Sequence, residues 1–527
     1  MALSTGNRST NKTSVSVPAH PDYELSSLQL QVGRDCLEGQ DRIKLETYDY
    51  LPHPSSLVTG DVALTDEQID RYNNFLADAE FEDYSEETRR SLLGKMRITN
   101  SEVEIDSKIE YLINDADNDG CSLSSAIQYA VGNVLLTKWH VLVADYKGLG
   151  DIPLESVSIA DAKMMNPRAS IKQYTRENVV NWNFSRINGS MQLSFIMLLE
   201  RGLEFDPETL IYNDVESYLK LALDESGDYY QQKVVYKTEG MDEGEREYVK
   251  VNNQTLKWIP VEFACDEPKA NYKLPKAMGF IYPICLKALA RYRVSAVYKE
   301  VQNSLAPSTF TTGWKEGDME IFSQANGGRA YIATGPKAVN NLPDGVTFSI
   351  ESGSSEMDDF HKYFAMNEKQ VISMGGAVKG QTVAMTATEA DINSADKNAM
   401  LETLSSTTEE AFAKIISYCA MFEGLTAPDS VDDYQRTMVT VKLPRDFATP
   451  KLGVDEVQAL MQLRINRSIS ERELMRKLES GGWLIEDIET ILAELEGEPP
   501  PLSLPLDRPV DNNDESDDNQ EQESAPV

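Results

Sequence analysis

Apolar positions recur at helical spacing from Asp22 to about Tyr50 and stop at Pro52. A polar stretch follows, and the pattern then predicts helices over 85–96, 101–113 and 123–134, the last two parted by the turn-rich string NDADNDGCS. Residues 139–145 form a short apolar, β-rich run that reads as a buried strand. From about 174 to 265 the chain looks β-rich. VVNWNFSRINGSMQLSFIMLLE predicts a hairpin in which Asn188 and Gly189 supply the positive φ angles of a tight turn, and QQKVVYKT and TLKWIPVEFA extend the series.

The second half returns to helices. One is predicted from Pro283, a good first-turn residue, to Leu305, a length of about 34 Å. Short strands and turns follow over 306–355 (STFTTGW, RAYIATG, GVTFSIE), and a helix resumes over 356–374. The loop 375–385 is glycine-rich, lacks acids and carries one cation, Lys379. It reads either as an ordinary connector or as a mobile loop set against a ligand. Thr386 and Glu389 then make a capping-box pattern, and no Gly or Pro occurs before Gly424. A helix of about 55 Å is predicted there, far beyond the usual three turns, and rods of that length cross several domains. RTMVTVKLP reads as a strand, and three helices follow over 454–466, from Ser470 with a second capping box, and over 483–495. From Asp507 the tail has eight acids, one base and no aromatic residue, so disorder is expected.

Composition alters this picture in two ways. A chain of 527 residues with 41% hydrophobic and 8% aromatic content builds real cores, and its length suggests roughly three or four units. Its 86 acidic and 50 basic residues give a net charge of −36, which argues against wrapping nucleic acid around the outer surface. Against that background residues 268–299 hold seven Lys/Arg and no acid. Segregated cations suit a surface near phosphate. They equally suit pairing with carboxylates of a neighbouring subunit, or plain exposure to water. The five cysteines stand singly, as expected of reduced thiols, and the four histidines lie too far apart for zinc. No apolar run reaches the roughly 18 residues a bilayer requires, and the polar N-terminus reads as a flexible arm, neither signal peptide nor anchor.

Candidate chemistry is sparse. Asp115, Asp117, Asp119 and Gly120 match the opening of a calcium loop, but position nine is Leu123 and position twelve Ala126, which cannot ligate. An acidic turn, with Ser122 capping the next helix, accounts for the string. There is no phosphate-binding loop, nucleophile elbow or HExxH motif. The expectation is a protein that is not an enzyme and uses no cofactor.

The order of parts from 268 to 498 resembles the portal proteins of tailed bacteriophages, and the wording resembles a divergent portal-like branch. The phrases are HPDY at residue 20, NDADNDGCSLSSAIQYAVGNVLLTKWHVLVADY at 114–146 and YTRENVVNW at 174–182. GFIYPICLKALARYRVSAVYKEVQNSLAPSTFTTGW at 279–314 and LGVDEVQALMQLRINRSISERELMRKL at 452–478 complete the set. Together they span roughly residues 20–498 in collinear order.

The resemblance implies an α+β, multi-domain ring subunit. After an N-terminal arm (1–20) come an α/β wing (21–265) and a first stem helix with a basic lead-in (266–305). A small β-rich clip (306–355), a second stem helix (356–374) and a tunnel loop (375–385) follow. The long helix with a return strand of the wing (386–450), a helical crown (451–498) and an acidic tail (499–527) complete it. It further implies a virion protein assembled in the host cytoplasm as a ring, usually of twelve copies, at one capsid vertex. Such a ring conducts double-stranded DNA during packaging and ejection. Its partners are the terminase large subunit, head-to-tail connector proteins, the major capsid protein and, for the tail, a scaffold; no membrane is involved. Lys287, Arg291, Arg293 and Lys299 become stem cations that face the channel or pair between subunits, and Lys379 a tunnel-loop contact for phosphate. Lys287 and Arg291 share one helix face, whereas Arg293 lies about 120° around from Lys287 at roughly 100° per residue, so not all can face DNA. Competing readings are a minor capsid or baseplate protein and a calcium-binding interaction protein.

Overall fold

The strand β2 (Trp139–Tyr146) is the central strand of a three-stranded sheet, buried as its unbroken apolar run requires of a strand covered on both faces. It pairs antiparallel with β12 (Val261–Cys265) on one side and β3 (Ala169–Tyr174) on the other. The helix α6 (Leu123–Thr137), capped by Ser122, leads into it. Across the three strands runs the longest helix, α10 (Ala387–Phe422, 36 residues). Its C-terminal half buries Phe412, Ile415, Ile416, Cys419 and Ala420. Thr407 Oγ1 donates to the Cys265 carbonyl at 2.6 Å, which fixes the helix against β12. The C-terminal half of the rod and the sheet therefore form one core.

The computed structural model describes residues 17–53, 65–146, 168–187, 189–208, 210–237, 240–252, 254–267, 274–304, 308–329, 331–332, 340–351, 357–378, 387–445, 447, 454–466 and 468–480. Two compact units divide the chain, residues 1–447 and 448–527.

In the first unit α1 (Pro21–Glu38) and α2 (Gln40–Leu45) precede α3 (Asp66–Asp78) and α4 (Tyr84–Met96). Next come β1 (Glu102–Glu104) and the single turn α5 (Tyr111–Asn114). A larger antiparallel sheet has the order β4 (Val179–Ile187), β5 (Ser190–Asp206), β6 (Ile211–Leu223), β7 (Tyr229–Lys237) and β8 (Gly240–Glu243), with β9 (Glu247–Tyr248) also on β7. The two-residue strands β10 (Lys250–Val251) and β11 (Gln254–Thr255) pair with each other. Then follow α7 (Tyr282–Ser304), β13 (Ser308–Thr312), α8 (Asp318–Ala325), β14 (Thr347–Glu351) and α9 (Met357–Ser373). After α10 come α11 (Val431–Met438) and β15 (Thr440–Lys442). The second unit contributes α12 (Val454–Ile465) and α13 (Glu471–Ser480), where Glu473 N donates to Ser470 Oγ at 3.1 Å as the capping box requires. The architecture is α+β in two units.

Several expectations need correction. Residues 101–113 are not one helix: Glu102–Glu104 pair with Lys442–Thr440, because E-V-E-I alternates with period two and a distant strand completes the ladder. The polar stretch after Pro52 contains α3, opened by a reciprocal capping box between Thr65 and Gln68. The segment 306–355 holds two paired strands, but also the helix α8, and Arg329, Tyr331 and Ile332 lie in no strand. TLKWIPVEFA is a strand only at its ends, Thr255 in β11 and Val261–Ala264 in β12; Pro260 has no N–H to donate to a ladder, and the half-buried Trp258 packs against the core. Arg436 to Met438, read as strand, close α11. The helix 483–495, the Thr386 cap, Asn188 and the acidic tail lie outside the described residues.

Candidate functional site

The segment that carries the sequence-predicted cations folds as a helical hairpin. Its entry is anchored by two close approaches of backbone. Gly279 N donates to the Leu136 carbonyl at 2.7 Å, and a Cβ built on Gly279 would lie 2.3 Å from the Leu135 carbonyl oxygen, so only glycine fits. Arg176, from the YTRENVVNW string, is buried beside this crossing. Its Nη1 donates to the carbonyls of Thr137 and Ala277 and its Nη2 to that of Lys276, each at 2.9 Å, with the guanidinium 5.3 Å from the Trp139 ring. Burial opposes its charge and lowers its pKa, while three carbonyl dipoles stabilise it. Trp139 Nε1 donates to the Pro275 carbonyl at 3.2 Å. Next along YTRENVVNW, Glu177 pairs with Arg34 at 2.6 Å. Burial, the largest single influence, would raise its pKa; the Arg34 charge together with hydrogen bonds from Arg34, its own backbone and Thr175 outweighs that and holds it low.

From this root α7 rises, and α9 returns antiparallel beside it. Lys287 faces Gln370, Arg291 faces Glu368, and Tyr298 packs edge-on against Phe360, so the register runs in opposite senses along the two helices. Asn367 Nδ2 donates to the Lys287 carbonyl at 3.3 Å. The far end is closed by β13 and β14, paired from Ser308 with Glu351 to Thr312 with Thr347.

The cations occupy distinct environments. Arg291 is 14% exposed, lies 3.2 Å from Glu368 and 3.4 Å from Glu82, and stacks 4.7 Å from the Phe364 ring. It is a packing residue of this subunit. Lys299 pairs with Glu80 at 3.1 Å. Lys287 Nζ donates to Gln370 Oε1 and Arg293 Nε to the Tyr50 carbonyl, both at 2.7 Å. Both acceptors are neutral, and among the described residues neither cation meets a carboxylate. Lys379 lies outside the described residues. One cation went unnoticed in the sequence: Lys397 on α10, half-buried beside Gly375 at the mouth of the predicted tunnel loop. Burial, and then the charge of Lys95, lowers its pKa. Its sequence signal was weak, a single lysine in a long polar helix.

The acidic turn at 115–120 is self-contained. Asp115 pairs with Arg168 and accepts from Gly120 N at 2.9 Å, and Asp117 Oδ1 accepts from Asp119 N and Cys121 N. Its carboxylates serve the turn's own amides and one arginine. Among the described residues no three His, Cys, Asp or Glu side chains converge on a common metal position, and no helix is long and apolar enough to cross a membrane.

No family model and no curated protein matches this chain. Among solved structures, a chain in the virion of a native gene transfer agent particle is similar at a TM-score of 0.37 and 11% identity, covering 82% of this chain and 94% of that one. A second, in the neck of an empty gene transfer agent particle, is similar at a TM-score of 0.37 and 12% identity, covering 75% and 89%.

Proposed function

We propose that this chain is a portal subunit of a tailed bacteriophage: many copies form a ring at one capsid vertex through which double-stranded DNA passes. The observation that carries this reading is the antiparallel α7–α9 hairpin, tipped by the β13–β14 pair and followed directly by the longest helix, in the order the family resemblance implies. The ring works as a passive conduit with no catalytic activity of its own. Terminase and later the head-to-tail connectors dock at the β13–β14 end, and the ring sits within the major capsid shell of the virion. The charge distribution suits that task. A channel that conducts DNA must not hold it, and a chain of net charge −36 with isolated cations binds phosphate only locally. Of the four cations predicted on α7, Lys287 and Arg293 are the ones left to act on DNA or on a neighbouring subunit, because Arg291 and Lys299 are engaged by carboxylates of their own chain. Lys379 and Lys397 supply positive charge at the loop between α9 and α10.

Negative-stain electron microscopy of the purified full-length protein tests the reading. Rings with an axial hole are the expected result. A uniformly compact monomer at micromolar concentration contradicts it.

A further inference from the structure

The larger sheet carries an arm whose described side chains, from Arg201 to Glu216, are exposed. β4 pairs with β5 only as far as Leu198, and β7 pairs with β6 only from Tyr218 onward. Beyond those points β5 and β6 continue alone for seven pairs, from Glu200 with Ser217 to Asp206 with Ile211. At about 3.4 Å per residue the free ribbon projects roughly 20 Å. A two-stranded ribbon without a covered face is marginal in water. One of its faces carries the pairs Arg201–Glu216, Leu203–Asp214 and Phe205–Tyr212. Leu203 and Tyr212 are 66% and 63% exposed, and the Phe205 and Tyr212 rings lie 5.0 Å apart. An apolar cluster is thus displayed at the tip of an arm that has five acids and one base between residues 201 and 216.

A surface of matching character lies on α7. The side of that helix turned away from its own subunit shows Leu286 at 47% and Val297 at 43% exposure, with Ala290 between them. Roughly 100° of rotation per residue places all three on one stripe, with Arg293 at one edge and Lys287 at the other. Those two cations are the ones whose partners are neutral. No acid occurs on α7 before Glu300.

We propose that the β5–β6 arm of one copy docks on the α7 stripe of a second copy, with Leu203, Phe205 and Tyr212 covering Leu286 and Val297 and the acidic arm edges meeting Lys287 and Arg293. Two observations favour a second copy. Copies of so acidic a chain repel one another unless they meet where the charges are opposite, and arm and stripe are opposite in sign. The contact joins two different patches, so each copy gives an arm and receives one, which is the head-to-tail arrangement that closes into a ring. A cavity of about 420 Å³ beside Trp258 and Tyr418 fits less well as a receptor, since Glu262, Asp429 and Asp432 stand around it, against one cation, Lys414, and share the arm's sign.

Full-length protein carrying Tyr212→Cys and Leu286→Cys together tests the contact by mild oxidation and non-reducing electrophoresis. A ladder of intermolecular species, absent from either single variant, is the expected result. A Tyr212→Cys, Asp429→Cys pair that cross-links instead, or no cross-link from either pair, overturns the proposal. A second measurement uses Phe205→Ser with Tyr212→Ser: copy-to-copy association drops at least tenfold in sedimentation, while circular dichroism is unchanged because both side chains are exposed. Association at the wild-type level overturns the proposal. The portal reading fails separately: rings without arm cross-links sink only the arm contact, and cross-linked chains without an axial hole sink only the conduit.

Discussion

Single residues at the root of the hairpin decide how firmly it is held. Arg176, itself buried, donates to three carbonyls, the buried one of Thr137 and the part-buried ones of Ala277 and Lys276. Arg176→Met keeps much of the volume and removes every donor, so the cost is chiefly the desolvation of the buried Thr137 carbonyl left unpaired, about 1–3 kcal/mol. Denaturant unfolding at unchanged slope measures it; a loss under 1 kcal/mol contradicts the role. His140 on β2 makes a second residue-level prediction. It is buried; Nε2 meets Gln173 Oε1 at 2.9 Å, and desolvation pushes its pKa down to about 4 despite that hydrogen bond. The unfolded ring titrates near 6.5. Between these values the unfolded state binds a proton that the folded state refuses, so stability falls as pH drops from about 6.5 to about 4. His140→Gln flattens that slope. His20, lowered in the same direction by burial, keeps its own share. The string YTRENVVNW was visible in the sequence, but what Arg176 does was not, because its partners are backbone carbonyls, which carry no residue-type signal.

At the scale of elements, long periodic segments were legible and short or distantly paired ones were not. β2, α7, α9 and α10 lie within a residue or two of their predicted bounds, since each is long and buries a continuous face. β1 was misread because its ladder partner lies at Lys442, and no local pattern announces a partner so far away. The β5–β6 extension went unread because its exposed acids break the apolar alternation. α3 carried its capping box in plain view at Thr65 and Gln68, yet its polar face hid the period. The crossing before α7 gives a test at this scale. Gly279→Ala places a methyl group against the Leu135 carbonyl, and the backbone of α6 has little room to yield. A loss of about 1–3 kcal/mol, or more, is expected. Hydrogen exchange checks whether the loss begins at the first turn of α7. Unaltered exchange there contradicts the anchoring.

For the whole molecule, the central question is what lies beyond the exposed side of α7. Within one chain the helix packs on α1, α3, α4 and α9, burying Ile284, Ala288, Leu289 and Tyr292, so it is a wall of its own subunit and not a detached rod. The opposite side shows Leu286 and Val297 between cationic edges, an exposed apolar stripe that calls for cover. Charge at this scale was legible in the sequence: the acid-free run at 268–299 stood out against a net −36. Which cations stay uncommitted was not legible, because Glu80, Glu82 and Glu368 reach Lys299 and Arg291 from other elements.

A cryo-electron-microscopy reconstruction of the assembled full-length protein tests the account most directly. The account predicts a closed ring in which the α7–α9 hairpins of successive copies surround an axial opening that admits a B-form duplex. An assembly whose hairpins lie at the outer rim, or one with no opening on its axis, contradicts it.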